Sequence, residues 1–224
     1  MSAHLSFSTR HAFIMLAGVA FSAACASALP LALAALGSFA FWLFESRASF
    51  HASGFGSANW ITTLRLVSLL LFATLVDARQ PLAASALAWT VFCLDGLDGF
   101  LARRTHSESS FGALYDAEVD ASFSMLLTWA LFQLGHAGPW VLLGGLLRFL
   151  YVLSLYFTRV SEVEAPRSTL GRYVFGLSVG GYTLSLWPFA AAGFALSGLA
   201  TLLLCYSFSR SFHWTFSPRR QNTG

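Results

Sequence analysis

Residues 12 to 44, AFIMLAGVAFSAACASALPLALAALGSFAFWLF, form a run of 33 residues without one charged side chain. Water does not tolerate that much exposed apolar surface, and in a bilayer only a helix or a closed barrel satisfies every backbone N–H and C=O. At about 1.5 Å per residue the run can supply two short spans, and Pro30 marks the break between them. A competing reading takes the stretch from Arg10 to the small residues ASA at 26 to 28 as a cleaved signal peptide. The apolar sequence that follows directly favours spans.

The polar stretch ESRASFHASGFGSAN, 45 to 59, reads as a linker lying along the membrane surface. Beyond it, six further helix-length apolar segments are expected at about 60–76, 81–102, 112–134, 139–158, 169–187 and 189–208. Short breaks at DARQP, GHAGP and Trp187-Pro188 make sequential neighbours antiparallel. The expected organisation is an N-terminal apolar helical segment with its linker at 1–57, a membrane core at 58–208 and a short basic cytoplasmic tail at 209–224. With 56% hydrophobic and 10% charged residues and a mean hydropathy of +0.65, a soluble domain is excluded. The runs lack the alternation of an outer-membrane barrel, so the fold class is all-α, a polytopic helical bundle.

All 13 basic residues are Arg, and the net charge of +3 calls for a membrane surface rather than nucleic acid. If the six segments alternate, Arg47, Arg103, Arg104, Arg159, Arg167, Arg172, Arg210, Arg219 and Arg220 share one side, with Arg79 nearly alone opposite. The positive-inside rule makes the first side cytoplasmic. Cys25, Cys93 and Cys205 are odd in number and sit in apolar runs, so they read as packing residues. The 22 Phe are lipid-facing and packing material and imply no cofactor.

Against this background DGLDGFLARRTHSESSFGALYDAEVDA, 95 to 121, stands out. Asp95 and Asp98 share a helix face, and Gly112, Asp116 and Asp120 recur every four residues to make a second stripe. Two helix ends joined by a short loop can aim both stripes at each other. Four converging carboxylates repel unless a cation sits between them. Oxygen ligands without cysteine favour magnesium, manganese or calcium over zinc, and His106 alone does not change that. Magnesium suggests phosphate: a carboxylate-held ion pair can neutralise a diphosphate while one carboxylate takes a proton from an alcohol. Gly99 and Ala102 leave room beside the carboxylates, and Arg103 can face a phosphate. Taken one at a time, these residues also read as interfacial ion pairs and helix-packing glycines.

Together, Asp95, Asp98-Gly99, Ala102-Arg103, Gly112, Asp116 and Asp120 fill eight fixed positions over 26 residues. The pattern resembles that of the CDP-alcohol phosphotransferase (CDP-alcohol phosphatidyltransferase) family without a departure. The resemblance covers about residues 58 to 208. It implies a six-helix membrane core that moves a substituted phosphate from a CDP-linked donor to an alcohol and releases CMP. By the same resemblance Asp95, Asp98 and Asp116 are metal ligands of a two-metal magnesium or manganese site. Asp120 is the base and a further ligand, and Gly99, Ala102 and Arg103 line the CMP part. Gly112 allows close approach near the diphosphate.

NWITTLR resembles the family's opening of the first core helix, with Asn59, Thr62 and Arg65 at three-residue steps and Ala58 where Pro is usual. Asn59 and Thr62 read either as nucleotide or diphosphate contacts or as a helix cap and a helix-facing hydroxyl. Arg65, inside an apolar helix, needs an anionic partner, either an aspartate of the cluster or a phosphate. Arg167 and Arg172 in RSTLGRYVFG, together with Arg148, are candidates for the acceptor, with membrane anchoring as the other reading for the first two.

The expected donor is CDP-diacylglycerol and the acceptor a small polar or phosphorylated alcohol, in phospholipid biosynthesis. A sibling activity reverses the roles, with CDP-choline or CDP-ethanolamine as donor and diacylglycerol as acceptor. The motif serves both. A cation transporter would spread acids along several helices instead of bunching them at one end, and an inactive scaffold would not need four aspartates at these spacings. The expected setting is a bacterial inner membrane with the active site facing the cytoplasm. Dimers are common among similar enzymes, so a homodimer is among the expected partners.

Overall fold

The computed structural model describes residues 3–53, 56–104, 109–159, 169–187 and 190–217. Eight α-helices make up almost all of them: α1 (Ala3–Cys25), α2 (Leu29–Ser53), α3 (Ser57–Asp77), α4 (Pro81–Arg104), α5 (Ser110–Gln133), α6 (Leu142–Thr158), α7 (Thr169–Ser185) and α8 (Ala190–Phe216). A single 3-10 turn, Pro139–Val141, leads into α6, and no strand occurs among the described residues. Among the described residues three stretches are long and apolar enough to cross a membrane: Ala58–Asp77, Pro139–Thr158 and Ala192–Phe216. Shorter apolar helices run over Leu29–Glu45 and Pro81–Gly96.

The uncharged N-terminal run forms α1 and α2 and breaks at Ala26, which adopts a positive φ of 50°. Pro30 is the second residue of α2, where its missing N–H is no loss because the first turn has no intrahelical acceptor to serve. Helix α2 continues to Ser53 through most of the polar stretch expected to be a linker, leaving only residues 54 to 56 between it and α3. The side chains of that stretch favour solvent, but nothing in it forbids helix until the glycines at 54 and 56.

The turn between α1 and α2 is tied to the bundle by Asp77 at the end of α3. Its carboxylate accepts from Ser27 Oγ at 2.6 Å, from Ala28 N at 2.8 Å and from Gln133 Nε2 of α5 at 2.8 Å. A carboxylate suits this place because the N–H groups that open α2 lack intrahelical partners. Arg79 Nη1, also at this end, donates to Gln133 O at 3.0 Å.

Helix α5 lies at the centre, packed against α1, α2, α3, α6 and α7. Every residue from 121 to 131 is buried, so this part of the helix is enclosed all round with no solvent stripe. Its approach to α6 depends on Gly145, where an added Cβ would lie 2.6 Å from Met125 Cα and 2.5 Å from Thr128 Oγ1. The outer helices turn large apolar side chains away from the core, among them Leu64, Val67 and Leu71 on α3 and Leu199, Leu202 and Tyr206 on α8. A lipid-facing surface has this character.

Candidate active site

Helices α4 and α5 both pack on α3, and Asp95, Asp116 and Asp120 meet at the motif end. Ser109 caps α5 by accepting from Gly112 N at 3.0 Å, which fixes where the second stripe begins. Gly112 then lets the first turns of α3 and α5 touch: a Cβ there would lie 2.9 Å from Asn59 Oδ1. One side of the adjoining surface is sealed by aromatic rings, with Trp42 of α2 stacked on Phe111 at 4.5 Å and Phe39 set edge-on to Tyr115 at 5.3 Å. Thr63 Oγ1 donates to Asn59 O at 2.8 Å and lies 3.0 Å from the Tyr115 hydroxyl.

Arg65 rises from α3 into the cluster with its side chain only 1% exposed. Its Nη2 lies 2.9 Å from Asp95 Oδ1, its Nη1 2.6 Å from Asp116 Oδ1, and Nη2 also contacts Asp120 Oδ1. The anionic partner that the sequence requires for Arg65 is therefore the aspartate cluster. One oxygen from each of Asp95, Asp116 and Asp120 comes within 4.8 Å of the others. All three carboxylates remain partly exposed while the guanidinium beneath them is buried, so the cluster opens away from Arg65.

One guanidinium stands against three carboxyl groups, and among the described residues the cluster offers hard oxygen donors alone. That donor set fits magnesium or manganese and does not fit zinc. Asp98 lies on α4 one turn beyond Asp95. The side chains of Asp98, Ala102 and Arg103 and the surroundings of Gly99 lie outside the described residues, as does the side chain of Arg172 in the first turn of α7. Arg167 lies outside the described residues altogether. Thr62 is buried, and its hydroxyl donates to Ala58 O at 3.2 Å in the manner of a helix-facing residue.

A cavity of about 180 Å³ lies on the other side of Asp120, between α5, α6, α7 and α8. Ala117, Asp120, Ala121 and Ser124 form its α5 wall at helical spacing, and Gly144, Arg148, Phe175, Leu204 and Phe208 complete it. Ser124 Oγ is buried with no hydrogen-bond partner among the described residues. Arg148 reaches this cavity while its Nη2 donates to Glu118 Oε1 at 2.6 Å.

Glu118 and its contacts with α1 are not evident from the motifs of the sequence. Ser8 Oγ donates to Glu118 Oε1 at 2.8 Å, and His11 lies between Ser38 Oγ at 2.6 Å and Ser122 Oγ at 3.0 Å. The signal that could have found them is Ser8 and His11, three apart, and Glu118 and Ser122, four apart, each a polar pair on one face of an apolar helix.

A family model described as CDP-alcohol phosphatidyltransferase matches residues 55–214, a region that holds the whole aspartate cluster, Arg65 and Arg148 but neither α1 nor α2. No curated protein and no solved structure matches the chain.

Proposed function

The chain belongs to the CDP-alcohol phosphatidyltransferase family, and from that premise we propose that it transfers the phosphatidyl group of CDP-diacylglycerol to a small polar alcohol, releasing CMP. The observation that carries this reading is the arrangement of Asp95, Asp116 and Asp120 around the buried Arg65, with a cavity on the far side of Asp120. Asp95, Asp98, Asp116 and Asp120 hold magnesium or manganese, which when bound neutralises the diphosphate and stabilises the departing phosphate.

The chain's own residues do the rest. Arg65 holds three carboxylates in register from below, so that they need not reorganise when substrate arrives. Asn59, Gly99, Ala102, Arg103 and Gly112 line the nucleotide and diphosphate side. The acceptor occupies the cavity with its hydroxyl toward Asp120, which takes the proton. The hydroxyl oxygen bonds to the phosphorus that carries diacylglycerol, and the bond from that phosphorus to the bridging oxygen breaks. CMP leaves with the electron pair. Arg148 contacts the body of the acceptor from the opposite wall.

Helices α3 to α8 cross the membrane in this reading, and the motif end faces the cytoplasm because alternation of the six spans assigns nine arginines of the sequence to that side against Arg79 on the other. The test is CMP release by purified protein in detergent with magnesium or manganese, CDP-diacylglycerol and a panel of alcohols. Release that depends on both metal and one acceptor establishes the activity. Silence with that panel, followed by turnover of CDP-choline or CDP-ethanolamine with diacylglycerol, replaces it with the reversed reaction.

A further inference from the structure

Helices α1 and α2 precede the family-matched region, yet their polar side chains enter the core. His11, fully buried, joins α1 to Ser38 of α2 and Ser122 of α5. Ser8, one turn earlier, shares Glu118 Oε1 with Arg148, at 2.8 and 2.6 Å respectively. The Glu118 side chain is 1% exposed and that of Arg148 27%. Glu118 Oε2 has no hydrogen-bond partner among the described residues, so the carboxylate is committed to Ser8 and Arg148.

A buried ion pair contributes little net stability compared with apolar groups of the same volume; its firm effects are direction and charge balance. Glu118 sits two residues from both Asp116 and Asp120, hence on the α5 face turned away from Arg65. Arg148 nevertheless reaches the cavity that Asp120 lines. The cavity wall thus combines a carboxylate with a guanidinium whose charge is already matched from behind. Among the described residues that line the cavity, no positive charge beyond that of Arg148 faces a phosphate monoester. The exposed part of Arg148 still offers hydrogen bonds to hydroxyls or to the carboxylate of a zwitterion.

We propose that Glu118, steadied by Ser8 of α1, is a positioning residue that aims and neutralises Arg148 at the acceptor cavity, making the site selective for alcohols without net negative charge over their phosphorylated forms. This rests on the phosphatidyl-transfer reading. It also gives the N-terminal hairpin a part in acceptor choice. Helix α1 carries the hydroxyl that orients Glu118, and the Asp77 clamp on Ser27 and Ala28 holds the hairpin in place.

The experiment compares the full-length wild-type protein with Glu118→Gln and Ser8→Ala in detergent, with magnesium and CDP-diacylglycerol. Two matched pairs, whose phosphorylated members keep a free hydroxyl, serve as acceptors: inositol and inositol 1-phosphate, glycerol and glycerol 3-phosphate. The readout is kcat/KM for CMP release. The wild type should favour the unphosphorylated member of whichever pair it uses. Glu118→Gln should shift that ratio toward the phosphorylated member by about tenfold, acting on acceptor KM while the donor KM stays unchanged. Ser8→Ala should shift it less in the same direction, and it carries the test alone if the Gln variant does not fold. Wild-type preference for a phosphorylated acceptor overturns the proposal, as does an equal loss on both members of a pair. Silence of the wild type with all four acceptors overturns the transfer reading itself and the selectivity with it, whereas a measurable ratio that does not shift overturns the selectivity alone.

Discussion

Arg65 Nη1 donates to Asp116 Oδ1 at 2.6 Å, linking α3 to α5 through a guanidinium that is 1% exposed. The same guanidinium contacts Asp95 and Asp120, so one buried cation from outside the eight-position motif holds three of the motif's four aspartates. Removing one member of a buried charged set costs more than the set contributes, because the remaining charges are left uncompensated.

Arg65→Ala should therefore destabilise the protein by about 3–5 kcal/mol, where Arg65→Lys loses less but still gives up the forked contact. Thermal unfolding in detergent measures this. Magnesium should stabilise the Ala variant more than the wild type, since it supplies the missing positive charge. An unchanged melting temperature for Arg65→Ala would contradict the assigned role.

Asp120→Asn keeps the side-chain shape and removes the proposed base. Turnover should fall by about 10³-fold or more while CDP-donor binding in the presence of magnesium stays near wild type. Asp95→Asn and Asp98→Asn should weaken donor and metal binding together. The division of roles fails if all three variants lose donor binding equally, measured by titration calorimetry.

Two glycines make a contrasting pair. Gly145→Ala places a Cβ 2.6 Å from the Met125 backbone, which can yield only by separating α5 from α6, so a loss of about 1–3 kcal/mol is expected. Gly112→Ala meets side-chain atoms instead, Asn59 Oδ1 at 2.9 Å and Ser109 Oγ at 3.1 Å. Those can move, so stability should change little while the donor KM rises. Equal melting temperatures for the two variants would refute the distinction.

Asp77→Ala strips the acceptor from Ser27, Ala28 N and Gln133 at once. Limited proteolysis should then cut near residues 26 to 28 faster than in the wild type, with about 1–2 kcal/mol of stability lost. Cleavage at the wild-type rate would mean that packing alone holds the hairpin.

Chelation with EDTA should abolish CMP release, and added magnesium or manganese should restore it, whereas zinc should not, because the candidate ligands among the described residues are carboxylate oxygens only. Full activity in EDTA would remove the metal from the mechanism.

Much of this was written along the chain. The segments expected at 81–102, 112–134 and 139–158 coincide with α4, with α5, and with α6 and its leading turn to within a few residues, because apolar length and Gly or Pro breaks act locally. Asp116 and Asp120 face Arg65 together because a spacing of four places them on one side of a helix. Polarity misled at 45 to 53, where helix continues: a charged, Ser-containing stretch is compatible with helix once its neighbours extend it.

Local pattern thus determined that the chain makes apolar helices, where they break, and that one end carries four aspartates on two stripes. Tertiary structure alone decided which cation lies among them and what becomes of Glu118. Arg65 is 51 and 55 residues from Asp116 and Asp120, and Ser8 is 110 residues from Glu118. No spacing rule spans such distances. Only the packing of α1 and α6 around α5 brings Ser8 and Arg148 to one carboxylate oxygen, where burial requires that the charge be met.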